Sequence, residues 1–121
     1  MNHNKAIETI LETWNISEPS KRQLAVSEAL SPDFYYSDPH RSEPIRAHSD
    51  FLDFLTMFRA NVPNVNVSLL SPPDSHHNHA RCRFIMKRNG QTFSSGTYIF
   101  EFDADGRINR MIGFMDQEPD Q

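Results

Sequence analysis

Cysteine is nearly absent. Cys82 is the only one in 121 residues, so no intrachain disulfide forms and a reducing compartment suits the chain. Glycine is scarce as well: four residues, too scattered for a phosphate loop, a nucleophile elbow or a dinucleotide fingerprint. No run approaches the ~20 apolar residues of a membrane span. The opening Met1-Asn2-His3-Asn4-Lys5 is polar where a signal peptide would be apolar. Positive charge is in deficit, with 12 Lys and Arg against 16 Asp and Glu, and the net charge of -4 leaves no footprint for nucleic acid. Together these absences point to a cytoplasmic protein with neither nucleic acid nor membrane as partner.

What the chain does have is aromatic rings. Nine Phe, three Tyr and one Trp supply much of the 37% hydrophobic fraction, enough for the core of a single domain spanning residues 1–121. Ala6, Ile7, Ile10, Leu11 and Trp14 recur at helical spacing and predict a first helix. A second is expected with Ser17 as N-cap and Pro19 in its first turn, ending at Ser31-Pro32. Phe34 to Asp38 reads as extended. Ser49 is the expected cap of a third helix bearing Phe51, Leu52, Leu55 and Phe58 and ending before Pro63.

From Asn64 the period changes to two. Strands are predicted around Val65 and Val67, then over His79 to Arg88, Gln91 to Phe102 and Arg107 to Asp116. Asn89-Gly90 signals a two-residue hairpin, and Gly96 and Gly113 mark bends or close backbone approach. Helices first and an antiparallel meander last give an α+β class.

Few residues carry chemistry. Asp38 follows Phe34 and Tyr36 on one strand face, where apolar surroundings suit a carboxyl group to acid–base work. An Asp-Pro turn in which the carboxylate caps backbone N–H groups explains the same residues. His76-His77-Asn78-His79 lacks a third ligand at recognisable spacing and reads as a polar loop, so no metal site is assigned. Cys82 has Arg81 and Arg83 as neighbours, but their side chains point to the opposite face, which suits a packing cysteine. The two arginines fit either an anionic group or a surface ladder of ion pairs. Trp14 and Tyr98 combine apolar bodies with hydrogen-bond donors and fit a plain core equally well.

Taken in order, several segments resemble the nuclear transport factor 2-like superfamily, in its polyketide cyclase (SnoaL)-like and ketosteroid isomerase-like branch. They are Trp14, Tyr36-Ser37-Asp38-Pro39, Phe51 to Phe58, His77, Arg81-Cys82-Arg83-Phe84, Gly96, Phe102 to Ile108 and Gly113-Phe114. The resemblance covers nearly the whole chain. It implies a cone-shaped, curved antiparallel sheet wrapped around three N-terminal helices, with an apolar pocket at one end, no cofactor, and a homodimer formed through the outer sheet face.

Ketosteroid isomerase uses an aspartate base and an oxyanion hole of tyrosine and protonated aspartic acid. By resemblance Asp38 takes the base position, and Asp38 to Pro44 is similar to that enzyme's base segment down to Ser42-Glu43-Pro44. Trp14 stands where that enzyme has its tyrosine, Tyr98 where it has its aspartic acid, and Leu55 replaces a supporting tyrosine. These departures argue against steroid isomerisation.

The resulting expectation is a pocket for a small apolar molecule with Asp38, Tyr98 and Trp14 as catalytic groups. Phe34, Tyr36, Phe54, Phe58, Phe84, Phe100 and Phe114 are the expected walls. Isomerisation, cyclisation and dehydration of a carbonyl compound all fit that machinery. A binder of an apolar metabolite and a dimeric interaction domain with a filled pocket are the alternatives.

Overall fold

The computed structural model describes residues 2–116. Helix α1 (His3–Glu12) opens on Asn2, whose side chain accepts the Lys5 N–H at 2.7 Å, and buries Ala6, Ile7, Ile10 and Leu11. Trp14 lies just past its end instead of on its stripe. Helix α2 (Pro19–Ala29) is capped by Glu18, one residue after the expected Ser17, because Pro19 occupies the first helical position.

Strand β1 (Leu30–Ser37) follows α2 without a break. Ser31 and Pro32 end the helix as expected, but they already belong to the strand. Proline is tolerated there because β1 is an edge strand whose pairing is irregular between Leu30 and Tyr35.

Helix α3 (His48–Asn61) is capped by Ala47, not Ser49. A tertiary contact fixes that start: His48 Nε2 lies 2.8 Å from the Ser31 carbonyl oxygen, which only accepts, so Nε2 is the donor. Phe51 and Leu55 are fully buried, and the helix ends before Pro63 as the sequence predicts.

The remaining strands are β2 (Val65–Leu69), β3 (Asp74–His76), β4 (His79–Arg88), β5 (Gln91–Phe102) and β6 (Ile108–Met115). The three long strands match the expected spans closely. Asn89 and Gly90 have φ of 53° and 79°, the positive pair that a primed hairpin turn requires. The short strand β3 was not foreseen. It has no apolar alternation, and its turn to β4 is made by His77 at φ 53°.

The open sheet runs β1-β6-β5-β4-β2, with β3 on β4. It is mixed, not wholly antiparallel, because β1 pairs parallel to β6. No hairpin links those two strands, so nothing forces them to run in opposite directions. The α+β class with three helices on one sheet stands.

Alternation along β4 sends Ala80, Cys82, Phe84 and Met86 inward and Arg81 and Arg83 outward. Arg81 pairs with Asp74 at 3.1 Å and Arg83 with Asp116, so the surface-ladder reading of these arginines holds. Burial pushes the Cys82 thiol up to about 12, as suits a packing residue. None of the helices among the described residues is long and apolar enough to cross a membrane.

Two glycines set how closely the sheet packs. A Cβ on Gly96 would lie 2.2 Å from the Phe114 carbonyl oxygen and 2.9 Å from Phe84 Cζ. On Gly113 it would lie 2.6 Å from Tyr98 Cε1. The rings of Phe84 and Tyr98, stacked at 4.6 Å, occupy the space those side chains would need.

Candidate functional site

A cavity of about 230 Å3 opens among β1, α3, β4, β5 and β6. Trp14, Tyr36, Phe54, Phe58, Phe93 and Tyr98 give it aromatic walls, Met86 and Met115 add sulfur, and Asp38, His40 and Ser94 are its polar members. A wider depression of about 740 Å3 beside Asn2, His3 and the Asp103–Gly106 turn is open and polar. Its Asp103 carboxylate already accepts the N–H groups of Asp105 and Arg107 at 2.9 Å each.

The turn after α1 holds Trp14 in place from several sides. The Arg59 guanidinium donates to the Trp14 carbonyl at 2.7 Å. Next in sequence, the Asn15 amide donates to the Val67 carbonyl at 2.9 Å and accepts the Val67 N–H at 2.7 Å. Arg22, buried on α2, donates to the carbonyls of Ile16 and Ser17 and to the Thr56 hydroxyl. The indole is 1% exposed and packs edge-on against Phe51 and Phe54, at 5.8 and 6.2 Å between ring centres. Its Nε1 is buried and has no hydrogen-bond partner among the described residues.

Asp38 sits just beyond β1 and is half-buried. Its Oδ2 accepts the Tyr36 hydroxyl at 2.6 Å and its Oδ1 accepts the His40 backbone N–H at 2.8 Å. The second bond is the Asp-Pro turn capping foreseen as one reading of this residue. Tyr36 and Tyr98 hydroxyls are 3.3 Å apart. Tyr36 has spent its single proton on Asp38, so Tyr98 donates to Tyr36 and the chain runs Tyr98 to Tyr36 to Asp38.

Burial, first, and the neighbouring hydroxyl and carboxylate raise the Tyr36 pKa well above the usual tyrosine value. Burial likewise raises that of Tyr98, against the opposing pull of its bond to Tyr36. Both remain neutral donors across the physiological range.

The structure brings Asp38, Tyr98, Trp14, Tyr36, Phe54 and Phe58 to one cavity. Phe34, Phe84 and Phe100 instead sink into the core, packed against other rings and away from this cavity. Phe114 points to the outer sheet face and is 57% exposed, because it follows the inward Gly113 by one residue. His40, Met86, Phe93, Ser94 and Met115 were missed. Met86 and Met115 sit at alternating strand positions and were findable once register is known; Phe93 is the residue skipped where the register shifts opposite Met86 and Lys87, which sequence does not announce.

Among the described residues no set of three or more His, Cys, Asp or Glu side chains is grouped to hold a metal. His76 and His77 do approach, Nδ1 to Nδ1 at 3.1 Å, on an exposed turn.

The class defined so far is an α+β protein that packs helices on an open mixed sheet and keeps an aromatic cavity with one carboxylate. No protein-family model and no curated protein matches the chain. Solved structures do. A proposed isomerase of the SnoaL-like family from Agrobacterium tumefaciens str. C58 superposes with a TM-score of 0.86 at 24% identity, over 95% of this chain and 97% of that one. A proposed ketosteroid isomerase from Kribbella flavida DSM 17836 gives 0.74 at 17%, over 98% and 81%. A proposed polyketide cyclase from Sinorhizobium meliloti gives 0.68 at 17%, over 90% and 93%. At these identities the likeness is one of fold: the chain has the nuclear transport factor 2-like fold.

Proposed function

We propose that the protein is a cofactor-independent proton-transfer catalyst for a small, largely apolar carbonyl compound. The observation that carries this reading is one cavity lined by both Asp38 and Trp14, whose buried Nε1 has no hydrogen-bond partner among the described residues.

Asp38 takes a proton from the carbon next to the carbonyl. The C–H electron pair forms a carbon–carbon double bond while the carbonyl π pair moves onto oxygen, and the Trp14 N–H donates to the oxyanion that results. The Asp38 carboxylic acid then either trades its proton with solvent and reprotonates the same carbon, which is exchange, or delivers a proton to another carbon, which is isomerisation. Cyclisation and dehydration begin with the same step. The cavity, about 230 Å3, falls below the roughly 300–1,000 Å3 of drug-sized sites, which favours one or two small rings over a steroid.

The test is deuterium exchange at the α carbons of a panel of ring ketones, followed by proton NMR in D2O. Wild type is expected to exceed buffer, and Asp38→Asn to lose about a hundredfold or more. Trp14 fluorescence in the same samples reports whether each ketone binds.

A second reading, a non-catalytic binder of an apolar metabolite, is favoured by the fact that both Asp38 oxygens already accept hydrogen bonds. Saturable binding with no exchange for any bound ketone selects it.

A further inference from the structure

Tyr36 is held more firmly than a cavity wall needs. Its backbone N–H and carbonyl both bond to Ile45, at 2.9 and 2.8 Å, which ties the strand to the loop beyond Asp38. Its ring packs against Phe51 at 5.2 Å and Phe54 at 5.6 Å. The hydroxyl therefore has one location, and Asp38, two residues on along the same face, meets it there. The Tyr98 proton makes Tyr36 a better donor by polarising its oxygen. From the other side the His40 N–H fixes the second carboxylate oxygen.

We propose that Tyr36 is a positioning residue whose hydroxyl, backed by Tyr98, holds the Asp38 carboxylate in one orientation and in its ionised form. The clamp aligns the carboxylate before any ligand enters. This role rests on the reading of Asp38 as the base, and it is separable from that reading by measurement.

The groups around Asp38 are few. Tyr36 faces it from β1 and Tyr98 stands behind Tyr36 on β5. His40 and Arg41 follow it in the loop, with the Arg41 guanidinium over the Phe54 ring at 5.3 Å. On β6 the neighbour is the uncharged Gly113. Of these, His40 carries the one imidazole, so each measurement is repeated with His40→Gln, which keeps the backbone N–H.

The experiment is a titration of the Asp38 carboxyl carbon by 13C NMR in the ligand-free protein. Loss of a hydroxyl bond to a carboxylate is expected to move the Tyr36→Phe midpoint upward. Tyr98→Phe moves it the same way by less. If ketone exchange is present, the acidic limb of its pH profile moves with the midpoint.

An unchanged midpoint in a folded Tyr36→Phe protein, judged by Trp14 emission, overturns the proposal. Should that variant fail to fold, Tyr98→Phe decides alone, an upward shift supporting the clamp and no shift or a downward one removing it. Because the titration uses no substrate, absence of exchange in the wild type removes the catalytic reading and leaves this result standing.

Discussion

Asn15 is bonded to both polar groups of Val67, giving to its carbonyl and taking from its N–H as a neighbouring strand would. Strand β2 is the sheet edge opposite β1, and this single side chain stands in for a missing partner. It also fixes the residue next to Trp14. Asn15→Ala is therefore expected to destabilise the protein by about 1–3 kcal/mol, the scale of leaving partly buried backbone groups unpaired. Urea unfolding measures this, and a red shift of Trp14 emission in the folded variant reports the loosened turn.

Trp14→Phe removes the unpartnered donor and keeps an aromatic ring. A ring ketone is expected to bind the variant about tenfold more weakly, since one hydrogen bond is worth about 1 kcal/mol or somewhat more. The hydrocarbon of the same shape, with a methylene in place of the carbonyl oxygen, should bind both proteins alike. Equal losses for the two ligands would mean that the indole matters for its volume alone. Calorimetry supplies the readout where the fluorophore is gone.

Gly96 and Gly113 are expected to differ in their response to alanine. At Gly96 the new methyl meets backbone, the Phe114 carbonyl, which has no room to swing aside. At Gly113 it meets the edge of a side chain, Tyr98. Gly96→Ala should cost at least the roughly 1–3 kcal/mol of an overpacked core, and Gly113→Ala less. The second variant disturbs the Tyr98 hydroxyl and so should alter the Asp38 titration while leaving the protein folded. Thermal unfolding of the pair gives the order.

Alkaline pH should weaken the fold. Tyr36, Tyr98 and Cys82 all hold their protons more tightly folded than unfolded. Their contribution is complete below the unfolded values, near 9 for the thiol and about 10 for the phenols, and falls as pH rises through the raised ones. Urea midpoints should be flat up to about pH 8 and then drop, less steeply in Tyr98→Phe. By the same logic Cys82 should resist iodoacetamide at pH 8 in the native protein and react once urea unfolds it, which mass spectrometry follows.

Local chemistry was legible wherever the deciding atoms lie within a few residues. Asn89-Gly90 announces its turn because both residues tolerate positive φ, and the stripe from Ala6 to Leu11 announces its helix. Ala47 carries no signal of being a cap, since the contact that starts α3 joins His48 to Ser31, 17 positions earlier. The site divides the same way. Asp38 and Tyr36 are close in sequence and were both singled out, but the bond between them and the link to Tyr98, 62 residues away, depend on how β1, β5 and β6 align. Alternation places Phe84 and Phe100 on the inner face without saying which part of that face stays open, and it puts Phe114 on the other face altogether.

The parallel pairing of β1 with β6 carries a consequence in time. Leu30 finds its neighbour at Ile108 and Tyr36 at Met111, across about two thirds of the described chain. Closing so long a loop is entropically unfavourable until the intervening hairpins shorten it, so this seam forms late. A chain emerging from the ribosome has made Trp14, Tyr36 and Asp38 long before the strand that will back them. The carboxylate meets its neighbour Gly113 only when β6 docks, and the cavity is thus among the last features of the molecule to exist.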